Sequence, residues 1–137
     1  MLRLLNWFTR LALSAAFLSA VADRFGLWGA FGSGPNVSWG DMHHFMIYAA
    51  KVNSFLPANL VPTAGWAATI MELVFGIGLL TGKCTRWFAL GSGILLTMFG
   101  VAMAVSFGVK SPLNYSVFSA AAAAYWLAAG PSAGRRN

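Results

Sequence analysis

Four stretches of the chain stay apolar over many residues, and most of the polar and charged side chains fall between them. They run from Leu4 to Ala22, Leu60 to Thr81, Trp87 to Val109 and Tyr115 to Ala129. Each approaches the ~20 residues that a helix rising ~1.5 Å per residue needs to cross a ~30 Å hydrocarbon layer, the last being the shortest. Lipid leaves no partner for a free backbone N–H or C=O, so such segments are helices. The pattern predicts an all-α membrane protein with four transmembrane helices in an antiparallel bundle. It forms a single membrane domain over the whole chain, with spans at about 4–22, 60–81, 87–109 and 115–129.

The connections differ in kind. Thr81-Gly82-Lys83-Cys84-Thr85-Arg86 is a tight turn with Gly82 as C-cap, so the second and third spans are antiparallel neighbours. Gly108-Val109-Lys110-Ser111-Pro112 is the corresponding turn at the other surface, with Pro112 where a helix can begin. The stretch 23–59 is longer. Gly26, Gly29, Gly32, Gly34 and Pro35 make its first half irregular, while Phe25, Trp28, Phe31 and Trp39 suit a bilayer interface. Ser38 and Asp41 form a start resembling a capping box, for a helix ending before Pro57. Phe45, Tyr48, Val52 and Phe55 repeat at helical spacing and leave His43, Ile47 and Lys51 on another side. This predicts an external amphipathic helix between the first and second spans, capping the bundle.

Composition agrees with lipid as the solvent: 58% of the 137 residues are hydrophobic and only 9% charged, with six Trp and eleven Phe. The net charge of +6 does not point to nucleic acid, because the basic residues are scattered singly or in pairs and form no stripe. They do orient the chain. With the N-terminus inside, Arg3, Arg10, Lys83, Arg86, Arg135 and Arg136 lie on the cytoplasmic side and Arg24, Lys51 and Lys110 outside. Both termini are therefore expected on the cytoplasmic side. Ala20-Val21-Ala22 before Asp23 looks like a signal-peptidase site, but the apolar run counted from Leu4 is long enough to span, and a retained helix is expected. Cys84 is the only cysteine, so any thiol chemistry would need a partner protein.

Glu72 stands out. A lipid-facing carboxylate near the middle of a span costs several kcal/mol, so it must face protein, a cavity or a counter-ion. Gly65, Ala68, Thr69 and Gly76 share its helix face and are small, whereas Ile70, Val74 and Ile77 suit lipid. Counting depth from the segment ends places Arg10 within reach of Glu72, directly or through water, with Asn6 and Ser14 on the same face as Arg10. Such a pair either fixes helix register or handles a ligand or proton, and Arg10 alone can instead snorkel to headgroups. His43 and His44 point about 100° apart on a helix and lack the spacing of a metal site, so no metal is expected. One of them, with Tyr48 or Lys51, either binds a polar headgroup or anchors the helix at the interface. Asp23 and Arg24 read as an interfacial pair at the surface. Asn114, Tyr115, Ser116 and Ser119 either cap and join neighbouring helices or roof a cavity beneath the external helix. No GxSxG, P-loop, dinucleotide fingerprint or HExxH occurs, and no catalytic residue is assigned.

Several segments together resemble the DoxX-like family of small bacterial membrane proteins: RLALSAAFLSAVADRFG from Arg10, MIYAAKVNSFLP from Met46, ATIMELVFGIGLLTG from Ala68 and GVKSPLNYSVFSA from Gly108. The resemblance covers nearly the whole length and implies a four-helix bundle of the bacterial inner membrane with an association with redox systems, the namesakes being linked to thiosulfate:quinone oxidoreductase. By that analogy Glu72, Lys51, Asn53, Lys110 and Asn114 match positions that the family tends to keep polar. The absence of paired cysteines separates the chain from four-helix thiol reductases of the vitamin K epoxide reductase type. The leading expectation is an accessory or membrane subunit of a quinone-linked redox complex, with a quinone or lipid as the only bound group and the bilayer, other membrane subunits or further copies as partners. A small permease or proton-coupled carrier is the second reading, and a non-catalytic structural or assembly subunit the third.

Overall fold

The computed structural model describes residues 1–130, which are mostly helical with no strand among them. The helices are α1 (Leu2–Arg24), α2 (Met42–Val52), α3 (Val61–Thr81), α4 (Thr85–Phe107), α5 (Lys110–Asn114) and α6 (Val117–Ala129), with a 3-10 turn at Ala58–Leu60. Three of them, α1, α3 with its leading turn, and α4, are long and apolar enough to cross a membrane. Trp7, Phe8, Ile70, Ile77, Met98 and Val101 are exposed on their outer faces, as a lipid solvent requires.

Around the bundle, α1 packs against α3, α3 against α4, α4 against α6, and α6 returns to α1. The common core joins Leu13 and Phe17 of α1, Leu79 of α3, Ala89 and Leu95 of α4, and Ala124 and Leu127 of α6. Small residues bring the axes close: a β-carbon at Gly78 would lie 2.5 Å from the Phe88 ring, and one at Gly93 2.7 Å from Tyr125. The alanine run serves the same contact, with Ala121 and Ala124 buried.

Boundaries move in ways that matter. Helix α1 continues two residues past its expected end, bringing Asp23 and Arg24 into its last turn. The expected capping box does not form; Asp41 is itself the N-cap of α2, its side chain accepting the His44 N–H at 2.8 Å. An Asp at the cap reaches the third following amide directly, and Ser38 is used elsewhere. Helix α2 stops at Val52, so Phe55 falls in the following turn and is exposed. Phe45 is buried, Tyr48 and Val52 are partly buried, and His43, Ile47 and Lys51 are exposed, as the periodicity predicts, with Ala49 also turned inward. The final apolar segment is broken. Ser116 adopts a left-handed conformation (φ 54°) that separates α5 from the 13-residue α6, so Tyr115 is not part of a continuous span.

Candidate functional site

Arg24 ends α1 and bonds Thr69, which lies eight residues into α3, a rise of ~12 Å. The hollow left over the end of α1 is filled by the 25–41 connection and by α2, whose Phe45 and Ala49 pack on Val61 with Trp39 and Tyr48 beside them. Asp23 organises this filling. Its carboxylate accepts the backbone N–H groups of Ser38 (3.0 Å), Trp39 (2.9 Å) and Gly40 (3.3 Å). Gly40 has a φ of +69°, and a β-carbon there would collide with the Phe31 backbone, so only glycine closes the loop this tightly.

The loop so pinned sets Trp39 over Arg24. The guanidinium carbon lies 5.3 Å from the Trp39 ring centre and 3.7 Å from that of Phe45. Its Nη1 donates to Thr69 Oγ1 at 2.7 Å and to the Glu72 carboxylate, forming an ion pair whose side chains are 3% and 5% exposed. Thr69 in turn donates to the Gly65 carbonyl at 2.8 Å. Nε of Arg24 is enclosed without a hydrogen-bond partner. Asp23 and Arg24, expected as a surface pair, are both buried and hold different partners.

Arg10 does not meet Glu72. Its Nε donates to the Leu79 carbonyl at 2.9 Å and its Nη2 to that of Leu80 at 3.2 Å, while its guanidinium covers Trp7 at 4.4 Å. The last carbonyls of a helix have no intrahelical donor and carry the negative end of its dipole, so they capture a nearby cation before it can reach a carboxylate two turns deeper. Gly82, left-handed at φ +75°, leaves the room this needs; a β-carbon there would strike the guanidinium. Ser14, one turn on, donates to the Gly76 carbonyl at 2.7 Å.

A cavity of about 670 Å³ opens from the Arg24–Glu72 pair. Its walls are Ala64, Ala67 and Ala68 of α3, Leu95, Met98, Phe99 and Ala102 of α4, and Tyr48, Ala49 and Val52 of α2. This volume lies in the range of small-molecule sites, which are mostly apolar with a few convergent polar groups. Of the expected site residues, the structure gathers Glu72, Tyr48 and Asn53 on this cavity, Asn53 donating to the Ala49 carbonyl at 2.9 Å. Burial raises the Tyr48 phenol above its ordinary pKa. His43, Lys51, Lys110, Asn114 and Tyr115 are exposed and none lines it. His44 is held by Asp41 Oδ2 at 2.7 Å and stacks on Phe31 at 3.8 Å.

Arg24, Thr69 and Trp39 were missed as site residues. One signal for Arg24 was present: Arg10, Ser14, Phe17, Val21 and Arg24 follow one another at intervals of four and three, so Arg24 continues the stripe that turns inward. The chain matches no protein-family model, no curated protein and no solved structure.

Proposed function

We propose that this chain is a multi-pass protein of the bacterial cytoplasmic membrane, similar to the DoxX-like proteins, that holds one small amphiphile as an accessory subunit of a quinone-linked redox complex. In this reading four helices cross in alternating directions, the fourth built from α5 and α6 together. The pairing of residues supports the alternation: Ser14 meets Gly76 while Arg10 meets Leu79, Phe88 meets Gly78 while Phe75 meets Gly91, and Tyr125 meets Gly93 while Phe118 meets Gly100. In each pair, moving forward on one helix moves backward on its neighbour. Both termini face the cytoplasm. Arg24, taken up by its ion pair, no longer counts as a loop charge, which leaves Lys51 and Lys110 outside against Arg3, Arg10, Lys83 and Arg86 inside. Arg135 and Arg136, which would add to the inner side, lie outside the described residues.

The observation that carries the ligand-holding role is the cavity of about 670 Å³, apolar along its walls and ending on one buried ion pair. A quinone or a lipid-like molecule has the matching shape, an apolar tail with a small polar head, and the link to redox systems rests on the resemblance. A proton-coupled carrier needs an acid free to load and unload, and the engagement of Glu72 with Arg24 favours holding over transport. A purely structural subunit has no use for the cavity. The test is purification in mild detergent with mass spectrometry of what accompanies the protein. A small amphiphile near one per chain, lost when Ala68→Trp fills the cavity, together with a redox partner subunit, is the expected result. A bare chain with neither companion would remove this reading.

A further inference from the structure

We propose that the cavity selects an uncharged amphiphile whose head is a hydroxyl group, and that the Arg24–Glu72 pair recognises this head as one donor and one acceptor set side by side. The inference rests on the reading that the cavity holds a ligand, and it names what that ligand must present.

Three observations lead to it. First, the pair is net neutral: the Arg24 cation is matched by the Glu72 carboxylate, and both are almost wholly withdrawn from solvent. An anionic head would bring a second negative charge beside Glu72 with no free cation to meet it, in a region where charge is expensive to strip of water. Second, the pair is not saturated. Nη1 makes both hydrogen bonds of the guanidinium to side chains, while Nη2 of Arg24 and Oε1 of Glu72 make none among the described residues. These two atoms are not sealed, since the enclosed atom without a partner is Nε. They are the polar groups that the pair can turn to the cavity, one donating only and one accepting only. A hydroxyl satisfies both, accepting from Nη2 and donating to Oε1. An ether or a carbonyl accepts from Nη2 and leaves Oε1 unmatched, so of a quinone couple the hydroxyl-bearing quinol form is the one the pair selects.

Third, the far side of the cavity suits an alkyl tail. Its lining includes Met98 and Val101 of α4, 59% and 51% exposed, and Phe55 beyond α2. Met98 and Val101 sit on the outer surface that α4 offers to lipid, so a tail can leave between the helices over a mostly apolar lining and continue into hydrocarbon. Neither end needs an aqueous route, and the ligand exchanges with the bilayer.

The experiment uses the full chain in detergent and reads the ligand-induced shift in unfolding temperature across a titration, from which relative affinities follow. Four probes share a decyl tail: 4-decylphenol, 4-decylanisole, decylbenzene and decyl phosphate. The phenol is expected to bind at least about tenfold tighter than the anisole, the worth of one hydrogen bond to a charged group, and decyl phosphate weakest of the four. Glu72→Gln removes the matching charge and is expected to bring decyl phosphate above the anisole. If that variant does not fold, the ranking on the native chain still decides. Equal binding of phenol, anisole and decylbenzene overturns the proposal while leaving the cavity as a lipid-holding site. Preference for decyl phosphate on the native chain overturns it as well. Failure of every probe to bind removes the ligand-holding role and this inference together.

Discussion

Replacing Glu72 by Met strands the Arg24 cation inside the bundle. The guanidinium keeps Thr69 and the faces of Phe45 and Trp39, so the loss falls toward the lower end of the ~3–5 kcal/mol found when one partner of a buried pair is removed, about 3 kcal/mol. Arg24→Met strands the carboxylate and costs a similar amount. The double replacement removes both desolvated charges and fills their space with apolar atoms, a change that is often neutral or stabilising. Its stability is therefore expected near that of the native chain, which makes the interaction energy of the cycle about 6 kcal/mol in magnitude, the sum of the two single losses. Unfolding in mixed micelles, followed by tryptophan fluorescence against detergent fraction, measures all four proteins. A second cycle at Arg10 and Glu72 serves as the reference. Arg10 binds carbonyls seven and eight residues beyond Glu72, about two turns away, and its effect should add to that of Glu72 within ~0.5 kcal/mol. Additive effects at Arg24 and Glu72, or strong coupling at Arg10 and Glu72, would refute the assignment of the buried pair.

Other consequences follow from the same contacts. Asp23→Ala leaves three backbone N–H groups without their acceptor and should cost about 1–3 kcal/mol, with hydrogen exchange accelerating first at Ser38, Trp39 and Gly40; protection unchanged there would contradict the pinned loop. The Asp41 carboxyl is held below its ordinary pKa, first by the His44 N–H and then by the His44 ring. Because the folded value is depressed, this contribution is complete above the unfolded pKa and fades as pH falls through the folded one, so the first turn of α2 should loosen below about pH 4. Asp41→Asn should show no such transition by amide exchange. Gly78→Ala drives a methyl into the Phe88 ring and is expected to destabilise by ~1–3 kcal/mol, whereas Ala67→Gly, on the more open cavity wall, should not match it. Cys84, exposed in the α3–α4 turn, should react with a membrane-impermeant maleimide only after cells are permeabilised; labelling of intact spheroplasts would reverse the proposed orientation.

The sequence by itself determined that the chain is helical and that its long apolar helices suit lipid, because length, hydropathy and the lack of backbone partners in lipid are local properties. It also determined which face of α3 turns inward: Gly65, Ala68, Thr69, Glu72 and Gly76 are buried, while Ile70, Val74 and Ile77 are exposed. A period of 3.6 residues with small and polar groups on one side carries that information without any partner being known. Only the tertiary structure decided which cation answers Glu72. Depth counted from segment ends brings Arg10 within reach of it, but the last carbonyls of α3 lie nearer and take that guanidinium. Arg24, two residues beyond the expected end of α1, reaches the acid because α1 ends well below the start of α3 and a folded connection covers it. Asp23 could not be recognised as the organiser of that connection, since its partners are backbone amides 15 to 17 residues away that become neighbours only when the loop closes. The cavity belongs to the same category: each wall is an ordinary apolar helix face, and the space exists only where α2, α3 and α4 fail to meet over the buried pair.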